Sequence, residues 1–158
     1  MNDKNNFGNK SFLLKIFILI VVLIFLPLIL IVGIIYYAWG FILSVAIWII
    51  WGLKGRHILF VYSNSPIWSK YIEEGIIPYI QEKAIILNWS ERKGWKISLA
   101  VLAFNHFGGS RNFNPLAIIF KPFRFNREFR FYEAFKEYKH GKTEKLEKIK
   151  KEFFDMIS

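Results

Sequence analysis

Hydrophobic positions fall into three regimes along this chain. From Ile16 to Leu53 there is no charged side chain in 38 residues. After Lys54, short apolar runs alternate with stretches of helical spacing. From Pro122 onward, phenylalanines and basic residues interleave.

The first regime exceeds one membrane span, which needs about 20 apolar residues. It is just long enough for two short spans. The pattern therefore predicts a helical hairpin with spans at about residues 12–32 and 35–53. Its turn falls at Gly33 or at Tyr36-Tyr37-Ala38-Trp39-Gly40. Tyr36, Tyr37 and Trp39 would form one interfacial belt, and Trp48 and Trp51 the other. Lys4, Lys10 and Lys15 precede the run, and Lys54 and Arg56 follow it. Basic flanks belong in the cytoplasm, and only an even number of spans puts both there. The alternative is one tilted helix followed by an interfacial helix. The run is too long for the apolar core of a secretory signal, and no small-residue cleavage site follows it. Pro27 is compatible with a membrane helix.

The second regime reads as an α/β pattern. Ile58–Tyr62 is a strand-like run. A helix opens at Ser65-Pro66 and extends to about Glu82, with Gly75 and Pro78 weakening its second half. Ala84–Leu87 is a second run, Ile97–Phe107 a second helix closed by Gly108-Gly109, and Leu116–Phe120 a third run. Strand–helix alternation implies parallel pairing through right-handed crossovers. The expectation is a small Rossmann-like βαβαβ layer, with the first strand in the middle and both faces covered.

In "FRFNREFRFYEAFKEY" the early positions alternate at a strand period and the later ones at a helical period. A helix from about Arg127 to Lys139 is expected after a short extended piece. A last helix follows Thr143, with a stripe of Leu146, Ile149, Phe153 and Ile157. That stripe could cover this chain's own sheet or meet the same helix of a second copy. A homodimer is thus a possible assembly.

The domain reading is a tail at 1–11, a membrane segment at 12–53 and a cytoplasmic α/β domain at 54–158. Composition agrees, at 54% hydrophobic and 19% aromatic. Of the net charge of +10, all but +2 lies from Lys54 onward, because only Asp3 and three lysines precede it. There is no cysteine, which excludes disulfides, thiol nucleophiles and cysteine-ligated metals. The only aspartates, Asp3 and Asp155, sit near the two ends. His57, His106 and His140 share no ligand spacing, so no metal or cofactor is expected.

In an open parallel sheet, ligands bind beyond the carboxyl ends of the strands. Ser63, Asn64 and Ser65 stand there for the first strand. Asn88, Ser90, Glu91 and Arg92 stand there for the second, and Lys121 and Arg124 for the third. Three parallel strands would gather these into a cradle for a phosphorylated or other anionic ligand, aided by the helix start at Ser65-Pro66. The plainer reading of Ser65-Pro66 is an ordinary helix start. Neither G-x-G-x-x-G, a P-loop nor a G-x-S-x-G elbow is present. In fold class alone, the strand–helix start resembles nucleotide-dependent enzymes, including nucleotide-sugar transferases. No motif carries residues over from them.

Lys121–Lys139 mixes bases and rings, as nucleic-acid binders do. A lipid surface fits better here, because the domain follows a membrane segment so closely. The plainest reading makes the rings core and the charges a solvated face. Two function classes follow. One is a membrane-anchored domain binding an anionic ligand, as an enzyme or as a plain binder. The other is a non-catalytic membrane protein that docks a partner or the anionic bilayer surface.

Overall fold

The computed structural model describes residues 3–109, 113–122 and 124–157; of the side chains before Leu14, only that of Phe12 is described. Met1, Asn2, Ser110–Asn112, Phe123 and Ser158 lie outside it. The chain forms two compact units, Met1–Phe41 and Ile42–Ser158.

The first unit is helical. Helix α1 is assigned over Asp3–Ile50 and carries Pro27 inside it. The turn expected at Gly33 or Tyr36–Gly40 is absent, and both places are helical. The hairpin is therefore replaced by a continuous helix. No residue there compels a turn: Gly33 is tolerated within a helix, and tyrosine and tryptophan are ordinary helix residues. Large apolar side chains along this unit are uncovered, among them Ile34, Tyr37 and Phe41.

The second unit begins inside the apolar run. Leu43, Ile47 and Trp51 are buried in it. So the 38 uncharged residues do two jobs. The part up to Phe41 is exposed, and the part beyond it supplies core.

The sheet has four strands in the order β2-β1-β3-β4. They are β1 (Ile58–Tyr62), β2 (Ala84–Asn88), β3 (Leu116–Ile119) and β4 (Arg127–Arg130). β1 is interior, as expected, and pairs parallel with β2. The expected parallel β3 is a correction: it runs antiparallel to β1, with Ile58 opposite Ile119 and Val61 opposite Leu116. The layer is thus a mixed sheet rather than the all-parallel βαβαβ arrangement. Long segments separate β2, α4 (Leu99–Phe107) and β3, so the chain can enter the third strand from either end. β4 is the fourth strand, antiparallel to β3. It replaces the first part of the helix expected from Arg127, which starts only at α5 (Tyr132–Tyr138). Phe129 points into the core while Arg127 and Glu128 stay exposed, as an edge strand requires.

Alternating side chains sort onto the two faces. Ile58, Phe60, Ala117, Ile119 and Phe129 pack against α2 (Ser69–Gly75), α3 (Ile77–Ile80), α5 and α6 (Glu144–Ile157). Leu59, Val61, Leu116 and Ile118 pack against α4, Ile47 and Trp51. Burial on both faces explains why β1 is apolar throughout. The single helix expected after Ser65 is two helices broken at Ile76. Pro78, early in α3, lacks the N–H that would continue α2. Leu146, Phe153 and Ile157 of α6 are buried in this chain's own core, so that stripe is not free to meet a second copy.

Candidate functional site

The parallel pairing of β1 and β2 sets Tyr62 beside Asn88 and brings the two polar strand ends together. Asn88 organises them. Its amide nitrogen donates to Asn64 Oδ1 at 2.6 Å and to Glu91 Oε1 at 3.3 Å. Its amide oxygen accepts from the Ser90 backbone N–H at 3.0 Å, capping a 3-10 turn over Trp89–Gly94. Ser90 Oγ in turn accepts from the Asn64 backbone N–H at 3.0 Å. Asn64, Asn88, Ser90 and Glu91 therefore satisfy one another and tie the ends of the two strands.

The other expected members contribute less. Ser63 is half-buried just past β1 and takes no part in this network. Ser65 Oγ accepts a long 3.4 Å bond from the Ile67 N–H, and α2 begins only at Ser69. Arg92 folds back on its own turn. Its guanidinium donates to the Trp89 carbonyl at 3.2 Å and lies 4.8 Å from the centre of the Trp89 ring. Tyr62, which the sequence reading passed over, donates to Glu73 at 3.4 Å. Burial first, and then the nearby Glu73 carboxylate, push its phenol pKa above the ordinary value. It stands there as a hydrogen-bond donor to the Glu73 carboxylate.

Lys121 and Arg124 are not part of this edge. Because β3 is antiparallel, its carboxyl end lies beside the start of β1, and the Phe120 N–H donates to the His57 carbonyl. The nine-residue cradle is thus split between opposite ends of the sheet. The convergence that motivated it required a parallel β3.

The other end has its own construction. Lys121 Nζ donates to the Met156 carbonyl at 3.1 Å and contacts Met156 Sδ at 3.3 Å. Lys83 Nζ donates to the Ile157 carbonyl at 3.0 Å. Two cations thus hold the carbonyls at the C-terminal end of α6, where the helix dipole favours positive charge. His57 lies next to them. Burial holds its pKa below the usual histidine value; Lys83 and Lys121 act in the same direction, while a hydrogen bond with the Gly55 backbone opposes them.

An open cleft of about 460 Å³ lies at this end. Trp48, Ile49, Leu53, Phe120 and Pro122 make its apolar lining, and Arg56, His57 and Lys121 are its charged or titratable members. From the sequence, His57 enters only as a histidine without ligand spacing and Arg56 only as a basic flank of the apolar run. Only the reversed direction of β3 joins them to Lys121. Around the cleft the surface is both greasy and basic. Leu53 is 85% and Phe125 98% exposed, and Lys54, Arg56, Arg124 and Arg127 are exposed near them in sequence. Among the described residues, no three His, Asp or Glu side chains cluster as metal ligands would. No family model, curated protein or solved structure matches the chain.

Proposed function

We propose that this chain is a non-catalytic, single-span membrane protein whose α/β domain docks on an anionic bilayer surface. The observation that carries the reading is the exposed apolar helix of the first unit. One helix is long and apolar enough to cross a membrane, with none of its apolar window buried. Residues 16–41 would span about 39 Å at 1.5 Å per residue. That suits one tilted helix across a hydrocarbon core of roughly 30 Å. The full run to Leu53, about 57 Å on the same rise, does not.

Docking is supported by the edge that carries Leu53 and Phe125. Exposed rings and aliphatic tips flanked by Lys and Arg are what an interfacial surface needs: apolar tips enter the headgroup layer and cations meet lipid phosphate. Anionic lipid is enriched in the cytoplasmic leaflet, so the domain belongs on that side. The anionic-ligand reading of the strand ends loses its support, because Lys121 and Arg124 lie at the opposite end of the sheet and Arg92 folds back on Trp89.

The full chain should resist alkaline extraction from membranes. Reporters fused at its two ends should lie on opposite sides, as one span demands. Since the chain has no cysteine, environment-sensitive probes can be placed at Phe125→Cys and, at the far end of the sheet, at Lys93→Cys. Brominated lipid should quench the first and spare the second. Alkaline release of the chain, or equal quenching at both positions, would refute the proposal.

A further inference from the structure

The cleft beside His57 combines features that the docking edge as a whole does not. It is concave, and its volume of about 460 Å³ falls within the range of small-molecule sites. Its walls are apolar, and no acidic side chain lines it. Among the described residues, the ion pairs are Arg130–Glu128, Lys136–Glu133 and Lys145–Glu137, so neither Arg56 nor Lys121 has a carboxylate partner. Lys121 gives two of its three N–H donors to Met156, one to the carbonyl and one to the sulfur, and has one left. In the sequence, Ile47 of the cleft wall follows Phe41 by six residues.

An occupant must match an apolar wall and a cationic rim at once. A free phosphate would satisfy the rim and leave the wall wet. An aliphatic chain alone would satisfy the wall and leave the cations unpaired. A molecule with both parts, present at high concentration around any membrane span, is an anionic phospholipid. We infer that this cleft holds one anionic phospholipid of the bilayer in which the chain is embedded. Its phosphate meets Arg56 and Lys121, and the start of an acyl chain lies over Trp48, Leu53 and Pro122. Burial is the main cause of the lowered proton affinity of His57, and Lys83 and Lys121 add to it. The inference rests on the membrane reading above and goes beyond it, because surface docking needs no defined stoichiometry.

The test uses the full chain in nanodiscs of equal phosphatidylglycerol and phosphatidylcholine, released in the gas phase for native mass spectrometry. Alkaline extraction of the same preparation reports integration separately, so failure of the membrane reading is seen on its own. The expected result is one phosphatidylglycerol retained in preference to phosphatidylcholine. Arg56→Gln should lower that preference about fivefold, the effect of removing one basic residue at an anionic surface. Leu53→Ser, at a position 85% exposed and so without a folding role, should lower retention of either lipid. Lys93→Gln, at the far end of the sheet, should change neither. An integrated chain that retains both lipids equally, or an Arg56→Gln protein that retains phosphatidylglycerol as the wild type does, would overturn the inference. So would displacement by millimolar inorganic phosphate, since the apolar wall would then contribute nothing.

Discussion

Two phenylalanines of equal size test the assignment of the last helix to the core. Phe153 of α6 is fully buried, with its ring centre 5.4 Å from that of Phe129, 5.9 Å from Phe131 and 6.5 Å from Phe60. Phe125 is 98% exposed. Truncating a buried phenylalanine to alanine costs about 3–5 kcal/mol. The ring pairs, each adding roughly 0.5–1.5 kcal/mol beyond burial, place Phe153→Ala in the upper half of that range. Phe125→Ala should stay within about 0.5 kcal/mol, as surface substitutions do. The assay is pulse proteolysis of the full chain in nanodiscs over a urea series, following loss of the folded α/β domain. With a urea slope of about 1.5 kcal/mol per molar, Phe153→Ala should lower the midpoint by roughly 2.7–3.3 M. A shift worth less than about 1 kcal/mol at unchanged slope would mean that α6 is not core. A midpoint that rises with protein concentration in the wild type alone would point instead to an interface between copies.

Two further outcomes follow from the two ends of the sheet. Asn88→Ala removes the cap on the Ser90 N–H and the bonds to Asn64 and Glu91. It should cost about 1–2 kcal/mol in the same urea assay, and a neutral result would mean that the network is not what ties β1 to β2. The His57 pKa is lowered on folding, so the unfolded chain binds the proton more readily. Stability should therefore be full above about pH 6.5 and decline as the pH falls through the lower folded value. His57→Gln should flatten that part of the profile, and a wild-type slope of opposite sign would contradict the burial of His57 beside Lys83 and Lys121.

The three strand runs were legible because each is apolar, short and bounded by turn residues. Ile58–Tyr62 stands as read, and the other two shift by one residue at their ends. Strand direction was not legible. Leu116–Phe120 has the same side chains whichever way it enters the sheet, and only long-range packing decides. That one undetermined sign dissolved the nine-residue cradle and created the cleft at the other end. β4 was half visible: the alternation around Phe129 was on the page, but the helical spacing of Phe131, Phe135 and Tyr138 outweighed it. Asn88 and Asn64 were singled out as polar strand-end residues. That they bond to each other depends on the register between two strands. The membrane segment was the hardest case, because hydropathy cannot tell a side chain that faces lipid from one that faces a protein core.

Charge composition marks Lys54 as the natural place to cut a soluble piece from this chain. The burial of Leu43, Ile47 and Trp51 says otherwise. A fragment starting at Lys54 would lose the covering that Ile47 and Trp51 give to one face of the sheet, and Leu59, Ile118 and Phe120 would meet water. Trp51 and Phe120 stack edge to face at 5.9 Å, a contact such a cut would remove. A domain prepared that way would be sticky for reasons unrelated to its function, and lipid or detergent bound to the wound could be mistaken for a ligand. The hydrophobic segment is not a removable leash. Its distal portion is an organ of the globular part, and biochemistry on this protein has to begin at or before Ile42.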